Sequence, residues 1–376
     1  MWYIINIMIS IFNALAHFLV DAVCVAAVLG RGAVGMELAN AVVVYNTLAF
    51  STQCVLGYIL DRYGPCRRSL KTGGLLACAG MVIVAAGALD SLTVMAAACI
   101  TGLGNSLFHV AGGIVTLKRS GGKAAPLGIF VAPGAFGVTV GTLYPQLCVY
   151  LAAALLALAG FGGALYLKGY ASRGAIGAAV RGTKGYASKG LPVGGKNSGA
   201  ATPQRSLSGG EEEPFPVLPV VLLTAAVAVR AIGGSASVFS WKQGAVHTLL
   251  LTLFVFAGKA LGGYLCDRIG CGKSAILSIV PAAVLTAFFA GSMLPALAGQ
   301  LLINLTMPVT LWMLYLLLPK EPGLAFGLAA SALWPGTIIG MFIKLSGPAR
   351  SILILASFLF GAGAILYADR YIRREK

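Results

Sequence analysis

Five ionisable side chains stand inside long apolar stretches of this sequence: His17, Asp21, His109, Arg230 and Lys259. A charge held in hydrocarbon costs about 3 kcal/mol even on a lenient scale, so each needs a partner, a water-filled cavity or a task. Asn13, His17 and Asp21 follow one another at four-residue steps, which places them in one polar stripe on a helix. Asp21 is the only carboxylate well inside such a stretch, and an imidazole lies one turn away. Two readings are open for His17 and Asp21. The pair takes up and releases protons near neutral pH, or it is a hydrogen-bonded strut that fixes its helix.

Arg230 presents a planar fork that grips carboxylate or phosphonate oxygens in two places. Lys259 lies two turns before Asp267, too deep to reach the surface fully. Asp21, Arg230 and Lys259 sum to one positive charge, which an anionic solute would neutralise on binding. The other reading pairs Arg230 with Asp21 and leaves Lys259 to backbone carbonyls. His109, beside Asn105 and Phe108, is either a solute and proton contact or a donor between helices. Asn46 and Gln53 share a helix face and are expected to line a cavity, as is Asn304 together with Gln300. Pro308 follows, and its missing N–H frees a carbonyl, which suits a kinked gate. Trp312, Tyr315 and Trp334 offer faces for an aromatic solute, or else serve packing and interfaces.

The elements that carry these residues are predicted to be membrane helices. Hydrophobic residues make up 58% of the 376 and charged ones 10%, too few charges for a soluble surface of this size. Apolar stretches near 2–29, 36–60, 69–89, 92–117, 125–146, 148–168, 215–240, 244–266, 273–294, 296–318, 323–345 and 349–369 predict twelve transmembrane spans. The expected fold is all-α, with residues 1–168 and 215–376 each forming a six-helix bundle. Between them, 169–214 reads as a flexible linker rich in Gly, Ala, Ser, Lys and Arg, with KGYASRG at Lys168 repeated as KGYASKG at Lys184. Its basic part suits anionic lipid headgroups.

The octapeptide GYILDRYG, Gly57 to Gly64, returns 206 residues later as GYLCDRIG, Gly263 to Gly270. Each copy ends an apolar stretch and is followed by basic residues. A charged turn that appears once per half implies a duplicated membrane protein. Its carboxylate, Asp61 or Asp267, sits where it can accept hydrogen bonds from a neighbouring helix N-terminus and so act as a two-state latch. Of the 27 Lys and Arg residues, 21 fall on the side of these turns, which predicts that side and both termini to be cytoplasmic. The net charge of +16 is then a topology signal, and no basic domain stands apart to bind nucleic acid. No cleavable signal is expected at the N-terminus. The eight cysteines contain no CxxC pair and read as small packing residues. His, Cys and acidic residues never gather at ligand spacing, so no metal and no cofactor is expected. No nucleotide loop or catalytic triad appears, so no enzyme is expected and uphill work must come from an ion gradient.

GxxxDRxG in both halves, with twelve spans and a long central loop, resembles the major facilitator superfamily across nearly the whole chain. That resemblance implies that Gly57, Asp61, Arg62, Gly64, Gly263, Asp267, Arg268 and Gly270 serve gating and that the solute binds midway between the halves. HxxxD at His17 and Asp21, GNSLFH at Gly104 to His109, SGGK at Ser120 to Lys123 and PGAFGVTVG at Pro133 to Gly141 resemble the fosmidomycin-resistance type of exporter. The expected function is proton-coupled secondary transport of a small organic anion by alternating access, in a monomer of the plasma or inner membrane. Its rivals are a proton-driven drug exporter, a lipid flippase, and a non-transporting receptor or scaffold.

Overall fold

Inside a bilayer every backbone N–H and C=O must bond within its own segment, so the apolar stretches become helices. The computed structural model describes residues 2–30, 35–64, 66–86, 91–160 and 215–375. The linker 169–214 lies outside the described residues. Helix α1 covers Trp2–Leu29 and α2 covers Gly35–Asn46; a π-helical turn, Thr47–Ser51, leads into α3, Gln53–Tyr63. Then come α4 (Cys66–Ala86), α5 (Ser91–Arg119), α6 (Ala125–Leu143) and α7 (148–160). After the linker follow α8 (Val217–Ser235), α9 (Gly244–Ile269), α10 (Cys271–Phe288), α11 (Met293–Asn304) and α12 (Thr306–Leu317). The chain closes with α13 (Pro322–Ser331), α14 (Leu333–Phe342) and α15 (Gly347–Arg374). Among the described residues there is no strand, and ten helical stretches are long and apolar enough to cross a membrane.

Two expected spans are broken, each for the same reason. Proline carries no N–H, so the carbonyl four residues earlier loses its helical partner. Pro308 frees Asn304, and α11 gives way to α12 at Leu305; Pro335 frees Ser331, and α13 gives way to α14 at Ala332. The stretch expected over 215–240 stops at Ser235, because Gly233, Gly234 and the serines after them favour turns over helix.

Helices from before and after the linker meet along two crossings, α6 against α9 and α3 against α13. Small residues let their backbones touch. A Cβ on Gly57 would strike the Gly323 backbone, and one on Gly263 would strike the Ala124 backbone. Apolar packing continues across the same region: Leu60, Ile114, Leu127 and Phe130 share one core with Leu314, Phe326 and Phe358. A second core, with Val20, Val23, Ala98 and Phe108, stays within α1, α5 and their neighbours.

Cys266 and Cys271 lie side by side across the turn between α9 and α10, with Cα atoms 4.7 Å apart. Gly270, at φ 87°, adopts the left-handed backbone that reverses the chain there and brings the two sulfurs together.

Candidate functional site

The first N–H groups of a helix have no partner within it and carry partial positive charge, so a carboxylate caps them well. The repeated turn supplies one carboxylate to each crossing. Asp61 accepts from the amides of Gly323 (2.9 Å) and Leu324 (2.8 Å) at the start of α13. Asp267 accepts from those of Ala124 (2.7 Å) and Ala125 (3.0 Å) at the start of α6. Each carboxylate therefore caps a helix from the other side of the linker. Beside them, Arg62 lies over the Tyr58 ring at 4.6 Å and Arg268 over the Tyr264 ring at 4.9 Å, so the duplication extends to side-chain stacking. Arg62 also approaches Glu321 at 3.7 Å, an exposed pair of little energetic weight. Gly64 ends α3 as Gly270 ends α9.

A cavity of about 620 Å³ lies between the two sets of helices. It is lined by α1, α2, α3, α5 and α6 on one side and by α8, α9 and α11 to α15 on the other. Thr142, near the end of α6 remote from its capped N-terminus, borders it, as do Leu29 and Thr337. The cavity thus runs away from the two caps, and the capped end is sealed by apolar packing.

Of the residues singled out in the sequence, His17, Asp21, Asn46, Gln53, His109, Arg230, Lys259 and Asn304 border this one cavity. Trp312 and Tyr315 do not: Trp312 is buried in the core and Tyr315 packs against it, with ring centres 5.4 Å apart. Helix α12 rotates that face away from the cavity, so the expected stacking platform is a packing element. Trp334 is tied across the crossing instead, donating to Thr47 at 3.0 Å.

Arg230 and Asp21 are not paired. One arm of Arg230, Nη2, donates to Thr310 at 2.8 Å, while Nη1 is buried with no partner among the described residues. No hydrogen bond or ion pair of Lys259 is found among the described residues, and its side chain is half-buried at the cavity wall. Two cations thus border one space, neither with a salt-bridge partner among the described residues, and Asp21 is the carboxylate on the same cavity.

Asp21 belongs to a different group. Its carboxylate meets His17 Nε2 at 3.2 Å and His109 Nε2 at 3.5 Å, and it accepts from Asn105 Nδ2 at 2.8 Å. His17 Nδ1 lies 2.7 Å from the Phe130 carbonyl, and His109 Nδ1 lies 2.8 Å from the Asn105 carbonyl. A carbonyl only accepts, so both Nδ1 atoms carry hydrogen. The two Nε2 atoms are then lone pairs, yet they stand 2.7 Å apart. The two Nε2 atoms and the Asp21 carboxylate together form a site that can hold a shared proton. Asp21 supplies, beside both Nε2 atoms, the negative charge that a proton bound there needs. The rings meet edge to face at 89°, which suits this sharing. Helix α6 closes the other side: a Cβ on Gly134 would strike Asp21 Oδ2 and His17 Nε2. The sequence pairs His17 with Asp21 by spacing, but His109 stands 92 residues from His17 and only the fold joins them.

Three possible metal ligands do gather here, contrary to the expectation from spacing: atoms of His17, Asp21 and His109 lie within 4.8 Å of one another. Two histidine nitrogens on a tetrahedral zinc would stand about 3.3 Å apart, given bonds near 2.0 Å. At 2.7 Å the two Nε2 atoms stand closer than that spacing.

Two solved structures match the chain over nearly its full length. One is a Major Facilitator Superfamily transporter, FucP, in the outward conformation, at 12% identity and a TM-score of 0.60, over 98% of this chain and 99% of that one. The other is a variant of the E. coli fucose:proton symporter FucP, at 12% identity and a TM-score of 0.58, over 99% of each chain. The chain has the major facilitator fold. No family model and no curated protein matches the sequence. Within the major facilitator fold, the two caps and the central cavity stand in one frame, the caps at one end of the helices and the cavity opening toward the other.

Proposed function

We propose that the protein is a secondary active transporter of the major facilitator superfamily that moves a small organic anion in company with protons. Twelve spans form the bundles 1–168 and 215–376, with both termini in the cytoplasm and the capped end facing it. The chain works as a monomer in the plasma or inner membrane by alternating access. The observation that carries this reading is Arg230, buried, with Nη1 unpaired, on the same cavity as Lys259. An unpaired buried donor on a cation is a standing cost that an anionic solute relieves. A planar carboxylate or phosphonate meets the guanidinium fork, and Lys259 adds a second, more mobile contact.

The proton occupies the bridge between His17 and His109, with Asp21 as its counter-charge. His109, expected beside the solute, is thereby assigned to the proton site. Asp61 and Asp267 hold the cytoplasmic gate shut while the cavity faces the other side. Uncapping both helix starts lets the two bundles rock and present the solute to the cytoplasm.

The test is uptake into proteoliposomes under an imposed pH gradient, using a panel of labelled carboxylates and phosphonates. Arg230→Ala is expected to lower transport of the best solute about 10- to 150-fold, the range for losing charge-assisted hydrogen bonds. Lys259→Ala lowers it less. If both variants transport that solute like the parent, the anion site is wrong, while the fold stands.

A further inference from the structure

Gln53 is the other buried group on this cavity whose bonding is incomplete. It is 1% exposed and opens α3 immediately after the π-helical turn. Its Nε2 donates to the Ala49 carbonyl at 2.7 Å. Because a carbonyl only accepts, that bond fixes which end of the amide is nitrogen. The remaining atom, Oε1, is an acceptor with no donor among the described residues and less than 1 Å² of accessible surface. The π-helical turn holds this arrangement in place. Ser331 of α13 donates to the Phe50 carbonyl at 2.9 Å and sits against Ser51 O at 3.2 Å. Gly327 packs on the Gln53 backbone itself.

The cavity therefore has two unfinished polar atoms of opposite kind. Arg230 Nη1, on α8, lacks an acceptor; Gln53 Oε1, on α3, lacks a donor. The residues that carry them belong to helices from the two sides of the linker and border one space, while the atoms themselves have less than 1 Å² of accessible surface. A buried polar group without a partner is costly, and rotating either side chain toward a bound solute removes the cost. We infer that the solute carries, besides its anionic group, a neutral hydrogen-bond donor, a hydroxyl or an amide N–H, which Gln53 accepts. An ammonium donor is disfavoured, because Arg230 and Lys259 make the same space positive. A solute that spans both atoms also bridges the two bundles. This inference rests on the anion reading above and narrows it to hydroxylated or amide-bearing acids.

The experiment uses the purified full-length protein and reads thermal stabilisation against ligand concentration. The probes are acids matched except for one hydroxyl: succinate and malate, benzoate and 3-hydroxybenzoate, propylphosphonate and 3-hydroxypropylphosphonate. The parent is expected to prefer the hydroxylated member of at least one pair by about tenfold or more. In Gln53→Met that preference falls below about threefold. In Gln53→Glu, which keeps acceptor oxygens, the preference survives although both acids bind more weakly. Loss of the preference in both variants, or its survival in Gln53→Met, overturns the assignment. If the acids bind the parent but no pair is distinguished, this inference falls and the anion site stands. If none of the acids binds, both fall.

Discussion

Asp21→Asn is expected to abolish solute accumulation driven by a pH gradient in proteoliposomes, while solute exchange between compartments at equal pH continues. In the proposed mechanism the proton shared by His17 and His109 is a buried charge and Asp21, in contact with both rings, is its counter-ion. Asparagine fills the space but brings no charge. Removing one partner of a buried ion pair costs about 3–5 kcal/mol, since the other charge is left uncompensated. At 1.36 kcal/mol per factor of ten, proton occupancy of the bridge falls by about a hundredfold to several thousandfold. The site is then empty near neutral pH, and the gradient has nothing to pull on. Loss of accumulation with retained exchange separates this from a folding defect. Accumulation at the parent's level would remove the bridge from the mechanism.

The second large effect is mechanical. Gly57→Val places its Cβ against the backbone of Gly323 and Leu324, atoms that cannot rotate aside. Helices α3 and α13 must separate, and Asp61 loses both amides at the start of α13. The state with the capped end closed is no longer reachable, so transport falls to below about 5% of the parent. The variant is expected to fold and to rest with its capped end open. A cysteine in place of Thr337, in a background lacking the native cysteines, reports this. Thr337 borders the cavity toward its open end. Labelling there by a membrane-impermeant thiol reagent applied from the non-cytoplasmic side is expected to drop about tenfold. Labelling equal to that of the Gly57 parent would mean that the α3–α13 contact does not set the gate.

The fold was legible because its signals are local or repeated. Apolar length marks the helices, and the two copies of GxxxDRxG mark the duplication without any three-dimensional knowledge. The cavity wall was legible in part, since a polar residue in an apolar span has to face something other than lipid: Arg230, Lys259, Gln53 and Asn304 could be named on that ground. What was hidden depends on partners far apart in the chain. His109 meets His17 only after α5 packs on α1, and nothing in either stretch announces the other. The amides that Asp61 and Asp267 cap are backbone groups, which carry no residue-type signature. Cys266 and Cys271 are five apart, a spacing that means little until Gly270 reverses the chain. Trp312 and Tyr315 were misleading because aromatic residues in a span serve packing as readily as recognition, and only the rotation of α12 decides between them.

Both Nδ1 atoms of the bridged imidazoles are tied to main-chain carbonyls, one on α6 and one on α5. Neither ring can turn over to hand its hydrogen out by a back route. Exchange with water happens only at the Nε2 edge, and that edge opens on the same vestibule as the solute. A seated solute is therefore a stopper over the hydrogen. In the proposed cycle loading then has a fixed queue, with the hydrogen first in and last out, so that at saturating solute every proton that arrives is committed to turnover.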